Sequence, residues 1–387
     1  MVGRAKFPMS TEAEFLVAAL RHFLDPKSTL PDAGKIRWNT LLDLAKAHAV
    51  TPMLYAALRE VPLPDDIAAE LRARFQSSVQ WSLAQSAELA RLTALLEEND
   101  ITSISLKGPL LSRYLYGELG ARSSGDIDLL VKPGDLLRIR DVLLSRGYRV
   151  ANTLHWNSDS AYLRSRENEI SFGSPSGVSI DVHWRILPRY FPSPFDELDV
   201  WREPKTMALA GRQVLTLAPE HLLLLICSHS AKHGFERLGW ICDIARFLIV
   251  SENLVWPAAV AQARRTRTLR QFSTGIRLAA DLLRAPVPEV LPEDHAATHL
   301  ADVVKDRFLS GVTEPLPAGE LTRFCLGLLE TRQHRLRYLT GHYLTPSEAE
   351  YKVLHLPPSM YFLYYPFRPA RLLTKHVLRG STIEHSH

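Results

Sequence analysis

The sequence of 387 residues lacks long apolar runs, and its three cysteines cannot all pair. Its longest apolar stretches, Leu222 to Cys227 and Phe247 to Val250, are far shorter than the roughly 18 to 20 apolar residues that span a bilayer. Residues Met1 to Ser10 contain no apolar core typical of a secretory signal peptide. We therefore expect no membrane span, and the few cysteines indicate a reducing, cytoplasmic setting.

A strong excess of one charge is also absent. The chain has 46 basic and 42 acidic residues, a formal net charge of +4. This excess is too small to indicate nucleic-acid binding by itself, and it is equally compatible with a basic pocket for a polyphosphate.

The periodicity of apolar residues changes twice along the chain, and the length allows about two or three domains. Helical spacing predicts an N-terminal helical domain over 1–100 and a second helical domain over 188–345. Between them, 101–187 combines short helices with segments of period two, namely Ala161 to Arg164, Glu169 to Phe172 and Val178 to Trp184. The fold class is therefore predicted to be α+β, a small mixed sheet flanked by helical domains, with an aromatic and basic tail over 346–387.

Two aspartates open an apolar run, Asp126-Ile127-Asp128-Leu129-Leu130-Val131. In a strand, residues two apart project from one face, with Cα atoms roughly 6.6 Å apart. Adjacent carboxylates repel unless a cation compensates their charge. The pair therefore predicts a site for Mg²⁺ or Mn²⁺, which prefer oxygen ligands.

A third carboxylate is expected from a neighbouring strand. Val178 to Trp184 alternates apolar and polar residues, which puts Asp181 on the polar face. Three carboxylates on adjacent strands can bridge two metal ions about 3.5 to 4 Å apart, the arrangement of two-metal phosphoryl transfer.

The segment Leu106-Lys107-Gly108-Pro109 lies at a predicted strand-to-helix turn. Gly108 allows a close approach of the backbone, and Pro109 suits the start of a helix. Free N–H groups at this helix start, with Lys107 beside them, predict a phosphate-binding site.

Together these motifs resemble a bacterial family of uncharacterised nucleotidyltransferases within the DNA polymerase β-like superfamily. The resemblance rests on Leu106-Lys107-Gly108, Arg122, the Asp126 to Val131 segment, Gly147-Tyr148 and Asp181 to Trp184. It also includes His229 to His233, Arg237, Trp240, Asp243 to Ala245 and Tyr364 to Pro369.

The resemblance implies a metal-dependent enzyme that transfers a nucleoside monophosphate from a triphosphate such as ATP, with release of pyrophosphate. Asp126, Asp128 and Asp181 would be its metal ligands and catalytic residues, with Asp181 helping to deprotonate the acceptor. The nucleotide-binding candidates are Lys107, Gly108, Arg122, Ser124 and Lys232. One departure concerns Pro109, which stands where the superfamily usually has Ser or Gly. Because Pro109 has no N–H, phosphate binding would depend more on Lys107 and Arg122.

Four further residues, three histidines and a tryptophan, are weaker candidates for the site. His229 and His233 are spaced for one helix face, but no zinc motif includes them. His183 and Trp184 are candidates for lining the site.

Two alternative functions agree less well with the sequence. A glycosyltransferase with an Asp-x-Asp loop normally has a nucleotide-binding α/β repeat before that loop, whereas the segment here is helical. A catalytically degenerate fold, acting as a binding or antitoxin-like protein, would usually have lost a metal ligand. The acceptor, whether a small molecule such as an aminoglycoside, a peptide or protein, or an RNA, stays open.

Overall fold

The computed structural model describes residues 9–151, 168–250 and 254–381. The predicted strand at Ala161 to Arg164 lies outside these ranges. Within them, no helix is both long enough and apolar enough to cross a membrane.

Four helices form the N-terminal part: α1 (Thr11–Leu24), α2 (Trp38–Ala47), α3 (Thr51–Leu58) and α4 (Asp65–Glu97). Ser10 caps α1, because its hydroxyl accepts a hydrogen bond from the backbone N–H of Ala13. Pro64 lies directly before α4. The carboxylates of Asp65 and Asp66, in the first turn, stabilise α4 by interacting with the positive N-terminal end of its dipole.

One mixed sheet of seven strands follows within the described residues, in the order β3-β4-β5-β2-β1-β7-β6. The strands are β1 (Ser103–Ser105), β2 (Asp126–Val131), β3 (Arg149–Val150), β4 (Glu169–Gly173), β5 (Ser179–His183), β6 (Lys205–Leu209) and β7 (Arg212–Thr216). The central strands β2 and β5 are parallel, as are β1 and β7, and the other neighbours are antiparallel.

Among the described residues, two helices connect strands of the sheet, α5 (Gly108–Tyr116) and α6 (Leu136–Ser145). After the sheet come α7 (Pro219–Lys232), α8 (Leu238–Val250), α9 (Trp256–Arg265), α10 (Leu269–Leu283), α11 (His295–Leu309), α12 (Ala318–Leu328), α13 (Arg332–Tyr343), α14 (Glu348–Val353) and α15 (Tyr364–Ser381). These elements confirm the predicted α+β class.

The two faces of the sheet bury different cores. Ile127, Leu129 and Val131 of β2 pack with the end of α4 and with α6. Leu130, on the opposite face, belongs to a larger core that joins α1 to α3 with α7, α8 and α10. Asp126 and Asp128 share the face of Leu130, so the sheet directs both carboxylates toward the C-terminal helices.

The hairpin of β6 and β7 was not expected from the sequence, because 188–345 was interpreted as helical. Its strand β7 joins β1 at the pair Ser105 and Thr216, and the Thr216 hydroxyl donates to the Ser105 carbonyl at 3.0 Å. The hairpin thus extends the sheet beyond 101–187. The division of the chain into four domains stays a prediction.

Candidate active site

Asp126, Asp128 and Asp181 meet at one place on the sheet. Asp128 and Asp181 are paired across the parallel strands β2 and β5, and Asp126 is two residues before Asp128. One carboxylate oxygen from each residue lies within 4.8 Å of the others. The structure thus brings together the three carboxylates that the sequence singled out.

The three carboxylates interact strongly because they are close and withdrawn from solvent. Burial and the neighbouring Asp128 raise the pKa of Asp126 to about 6. Burial also raises the pKa of Asp181. A hydrogen bond from Ser171 lowers it, but the net shift is upward. The nearby Asp181 charge also raises the pKa of Asp126, because like charges repel. A bound cation would offset this repulsion.

Asp128 is the buried member of the cluster and has two cationic partners. Its Oδ1 lies 3.2 Å from Lys107 Nζ and 3.0 Å from His183 Nε2. The opposite nitrogen of His183, Nδ1, lies 3.2 Å from Glu169 Oε2. Burial raises the pKa of Asp128, but Lys107 and His183 lower it further, so the net shift is downward.

His183 is held between two carboxylates. Burial lowers its pKa, whereas Glu169 and Asp128 raise it, and the net shift is upward. A protonated imidazole can donate from both nitrogens, from Nε2 to Asp128 and from Nδ1 to Glu169. His183 therefore fixes the orientation of the Asp128 carboxylate.

The start of α5 lies against the strand that carries the aspartates. Gly108 has a φ of +69°, and a Cβ on it would lie 3.3 Å from the Asp126 carbonyl oxygen. The Ser124 hydroxyl donates to the same carbonyl at 3.0 Å. Gly108 and Ser124 thus hold the backbone of Asp126, and Lys107 extends from the residue before α5 into the cluster.

A cavity of about 270 Å³ opens over the three carboxylates. Its far wall comes from α7, α8 and the turn between them, and it includes Lys232, Arg237 and Trp240. His229 also lines it, and its Nδ1 lies 3.5 Å from Lys107 Nζ. Carboxylates on the sheet and basic groups on the helices therefore face each other across one cavity.

Arg122 has a different position from the other predicted nucleotide ligands. Its Nε donates to Asp243 Oδ2 on α8 at 2.7 Å, and both side chains are buried. The Tyr116 hydroxyl donates to the other oxygen of Asp243 at 3.0 Å. Arg122 does not line the cavity over the carboxylates, so its contact with phosphate stays a prediction.

The cluster fits a divalent cation of the Mg²⁺ type, because all its available ligand atoms are carboxylate oxygens. In the described part of the chain, it is the one group of three or more His, Cys, Asp or Glu residues arranged to hold a metal. His229 and His233 instead contact each other and Trp240 through their rings.

The sequence interpretation missed Glu169 as part of the site. Glu169 and Ser171 alternate with the buried Ile170 and Phe172, a pattern that identified a strand without indicating its neighbour. In the structure Glu169 is paired with His183, and Ser171 with Asp181. The polar face of β4 therefore completes the surroundings of the cluster.

Comparison with known proteins adds one match. The model of a family described as uncharacterised nucleotidyltransferase matches residues 34–284, more than half of the chain. The matched region begins before α2 and ends just after α10, so it includes the whole sheet, the three aspartates and the helices that face them. No curated protein and no solved structure matches the chain.

Proposed function

The chain belongs to the uncharacterised nucleotidyltransferase family and is an enzyme, and we propose that it transfers a nucleoside monophosphate from a nucleoside triphosphate to an acceptor hydroxyl or phosphate, releasing pyrophosphate. The observation that carries this proposal is the approach of three carboxylate oxygens to within 4.8 Å of one another. A glycine-opened helix and Lys107 stand beside them, as a triphosphate site requires.

Asp126, Asp128 and Asp181 would hold Mg²⁺ or Mn²⁺. Bound there, the ions would supply charge neutralisation of the triphosphate and activation of the acceptor oxygen. Carboxylate ligands two apart on one strand, with a third on the parallel neighbour, also support membership of the DNA polymerase β-like superfamily.

The basic residues around the cavity would bind the triphosphate. Lys107 is the residue directly before α5, and its Nζ lies 3.2 Å from Asp128 Oδ1. Lys232 and Arg237 face it from the opposite wall. The start of α5 adds the positive end of a helix, in which Pro109 offers no N–H. Gly108 allows the phosphates to approach the backbone, and Ser124 holds the turn before β2.

Asp181 is the best-placed acceptor of the proton released in the reaction. The acceptor oxygen forms a bond to the α-phosphorus, the bond from that phosphorus to pyrophosphate breaks, and the proton of the acceptor hydroxyl passes to a base. Asp128 is occupied by Lys107 and His183, whereas Asp181 lies at the cavity with a hydroxyl, Ser171, as its neighbour on β4.

The opposing hypothesis is a degenerate fold that binds nucleotides or a partner without turnover. Loss of a metal ligand is its usual sign, and all three carboxylates are present and adjacent here. The complete cluster therefore favours catalysis.

In the test, the protein and Mg²⁺ are incubated with ATP, CTP, GTP or UTP, each labelled at the α- or the γ-phosphorus. The small-molecule, RNA or protein fraction of a cell extract supplies the acceptor, and the product that carries the label is identified. We expect the α-label to join the acceptor and the γ-label to leave in pyrophosphate. Transfer of the γ-label to an acceptor would instead indicate a kinase. No turnover with any fraction, although the nucleotide binds, would favour the degenerate fold.

Asp126→Asn should abolish the transfer, and Asp141→Asn is the matched control because Asp141 is exposed on α6. Equal transfer by both variants would exclude Asp126 from catalysis.

A further inference from the structure

A second cavity lies beside the candidate active site and has no part in the chemistry described so far. Its volume is about 950 Å³, at the upper end of the 300 to 1,000 Å³ typical of small-molecule sites. The segment 184–201 after β5 forms one side, and α13 and the start of α15 form the other.

The second cavity is next to the metal-binding cluster. Leu130 forms part of its floor and lies on the same face of β2 as Asp128, two residues earlier, a Cα separation of roughly 6.6 Å. Ile186 lines both cavities. Ile186 therefore lies between the two cavities, and a molecule in the second cavity would have to pass it to reach the three carboxylates.

Aromatic rings line both sides of the second cavity. Trp184, Tyr190, Phe195 and Trp201 belong to the segment 184–201, and Tyr365 belongs to the start of α15. Lys132 Nζ lies 5.7 Å from the centre of the Trp201 ring, so this wall also carries a positive charge at its edge. Such walls suit a flat or ring-shaped ligand.

The charge of the second cavity is positive. Arg185, Arg189 and Arg337 line it against a single carboxylate, Asp196. Arg337 is paired with Asp196 at 2.7 Å. Within the described ranges, neither Arg185 nor Arg189 forms an ion pair with a carboxylate. A cationic ligand would be repelled here, and an anionic ligand attracted.

We propose that the second cavity binds the acceptor substrate, and that this acceptor is an anionic small molecule containing a ring, of the class of phosphorylated sugars or aromatic phosphates. Its anionic group lies at Arg185 and Arg189, its ring between the aromatic walls, and its reactive oxygen reaches past Ile186 toward Asp181. This inference rests on the proposed nucleotidyl transfer, and it excludes polycationic acceptors such as aminoglycosides.

The test is calorimetric titration of the full chain, with the nucleotide site saturated by Mn²⁺ and the unreactive α,β-methylene analogue of ATP, CTP, GTP or UTP, whichever binds most tightly. The probes are glucose 1-phosphate, 4-hydroxyphenyl phosphate, the polycation kanamycin and a short single-stranded RNA. We expect one or both phosphates to bind and kanamycin not to bind. The preference between the two phosphates tells a sugar acceptor from an aromatic one.

Two variants locate the binding site. Arg185→Gln/Arg189→Gln should weaken phosphate binding by about tenfold or more, because charge-assisted contacts are lost. Leu344→Trp fills the second cavity from the exposed end of α13 and should also reduce binding. Arg72→Gln, an exposed arginine on α4, is the matched control and should bind like the parent. Melting temperatures check that each variant is folded.

The outcomes separate this inference from the proposed function. Failure of the α,β-methylene analogues of ATP, CTP, GTP and UTP all to bind with Mn²⁺ contradicts the proposed function. Normal nucleotide binding, with no phosphate bound or with equal affinity in the double variant, overturns the acceptor assignment alone. Tighter binding of kanamycin, or of a single-stranded RNA, than of either phosphate also overturns it.

Discussion

Asp128 and Asp181 are directly paired on the parallel strands β2 and β5. Their side chains therefore project from the same face of the sheet, with Asp126 beside them. This pairing creates a partly buried negative cluster, in which Lys107 and His183 directly contact Asp128.

Lys107→Met should weaken the binding of α,β-methylene ATP by about ten- to hundredfold, because a charge-assisted phosphate contact is lost. Binding is measured by calorimetry with Mn²⁺ present. Lys46→Met, which changes an exposed lysine on α2, serves as the control. Equal affinities of the two variants would remove Lys107 from the nucleotide site.

Gly108→Ala should destabilise the fold and also reduce nucleotidyl transfer. Its φ of +69° disfavours a side chain by about 1 to 2 kcal/mol, and the added Cβ would press on the Asp126 carbonyl at 3.3 Å. Gly117→Ala is a close control, because Gly117 has a φ of +76° and nothing within 4 Å of the added Cβ. Both variants should lower the urea midpoint similarly, but only Gly108→Ala should lose activity. Equal activity would mean that the contact with Asp126 does not position the cluster.

Asp243→Asn should destabilise the fold by about 3 to 5 kcal/mol, since it leaves the Arg122 guanidinium buried without a carboxylate. Arg122→Met/Asp243→Leu removes both charges and should recover much of that loss, as urea unfolding can show. The double variant also tests the predicted phosphate contact of Arg122. Weakened binding of α,β-methylene ATP in a stable double variant would support that contact, and unchanged binding would make Arg122 purely structural.

Much of the cluster could be predicted because local patterns determine it. The spacing of Asp126 and Asp128 fixes their common face, and the alternation around Asp181 fixes its polar side. The position of Glu169 depends on the register of β4 against β5. The periodicity of a single strand does not predict this register.

Other contacts were not predicted because they also join residues that are far apart in the sequence. Arg122 meets Asp243 across 121 residues of sequence, and β7 joins β1 across 111. The second cavity combines the segment after β5 with α13 and α15. Such contacts follow from how the helices pack on the sheet, so no single segment reveals them.

His48 should make the fold sensitive to mild acid. Burial lowers its pKa to about 4, its ring contacts Phe308, and its Nδ1 has no hydrogen-bond partner within the described structure. Between the ordinary pKa of about 6.5 and the folded value, the unfolded chain binds a proton that the folded chain does not. The free energy of unfolding therefore falls as the pH drops through this interval.

Near pH 5, the deprotonated His48 should lower the free energy of unfolding by about 2 kcal/mol relative to its value above pH 7. From about pH 7.5 to about pH 5, the parent should lose more stability than His48→Gln by that amount, measured by urea unfolding. His295→Gln, which changes an exposed histidine at the start of α11, should follow the parent. Parallel pH profiles for all three proteins would contradict this role of His48.

The central claim is that Asp126, Asp128 and Asp181 hold divalent cations for a nucleoside triphosphate. Its most direct test is the affinity for Mn²⁺ in the presence of α,β-methylene ATP, measured by electron paramagnetic resonance on the full chain. We expect Asp128→Asn to weaken Mn²⁺ binding by about tenfold or more, whereas Asp141→Asn binds like the parent. Unchanged Mn²⁺ affinity in a folded Asp128→Asn variant would contradict the claim.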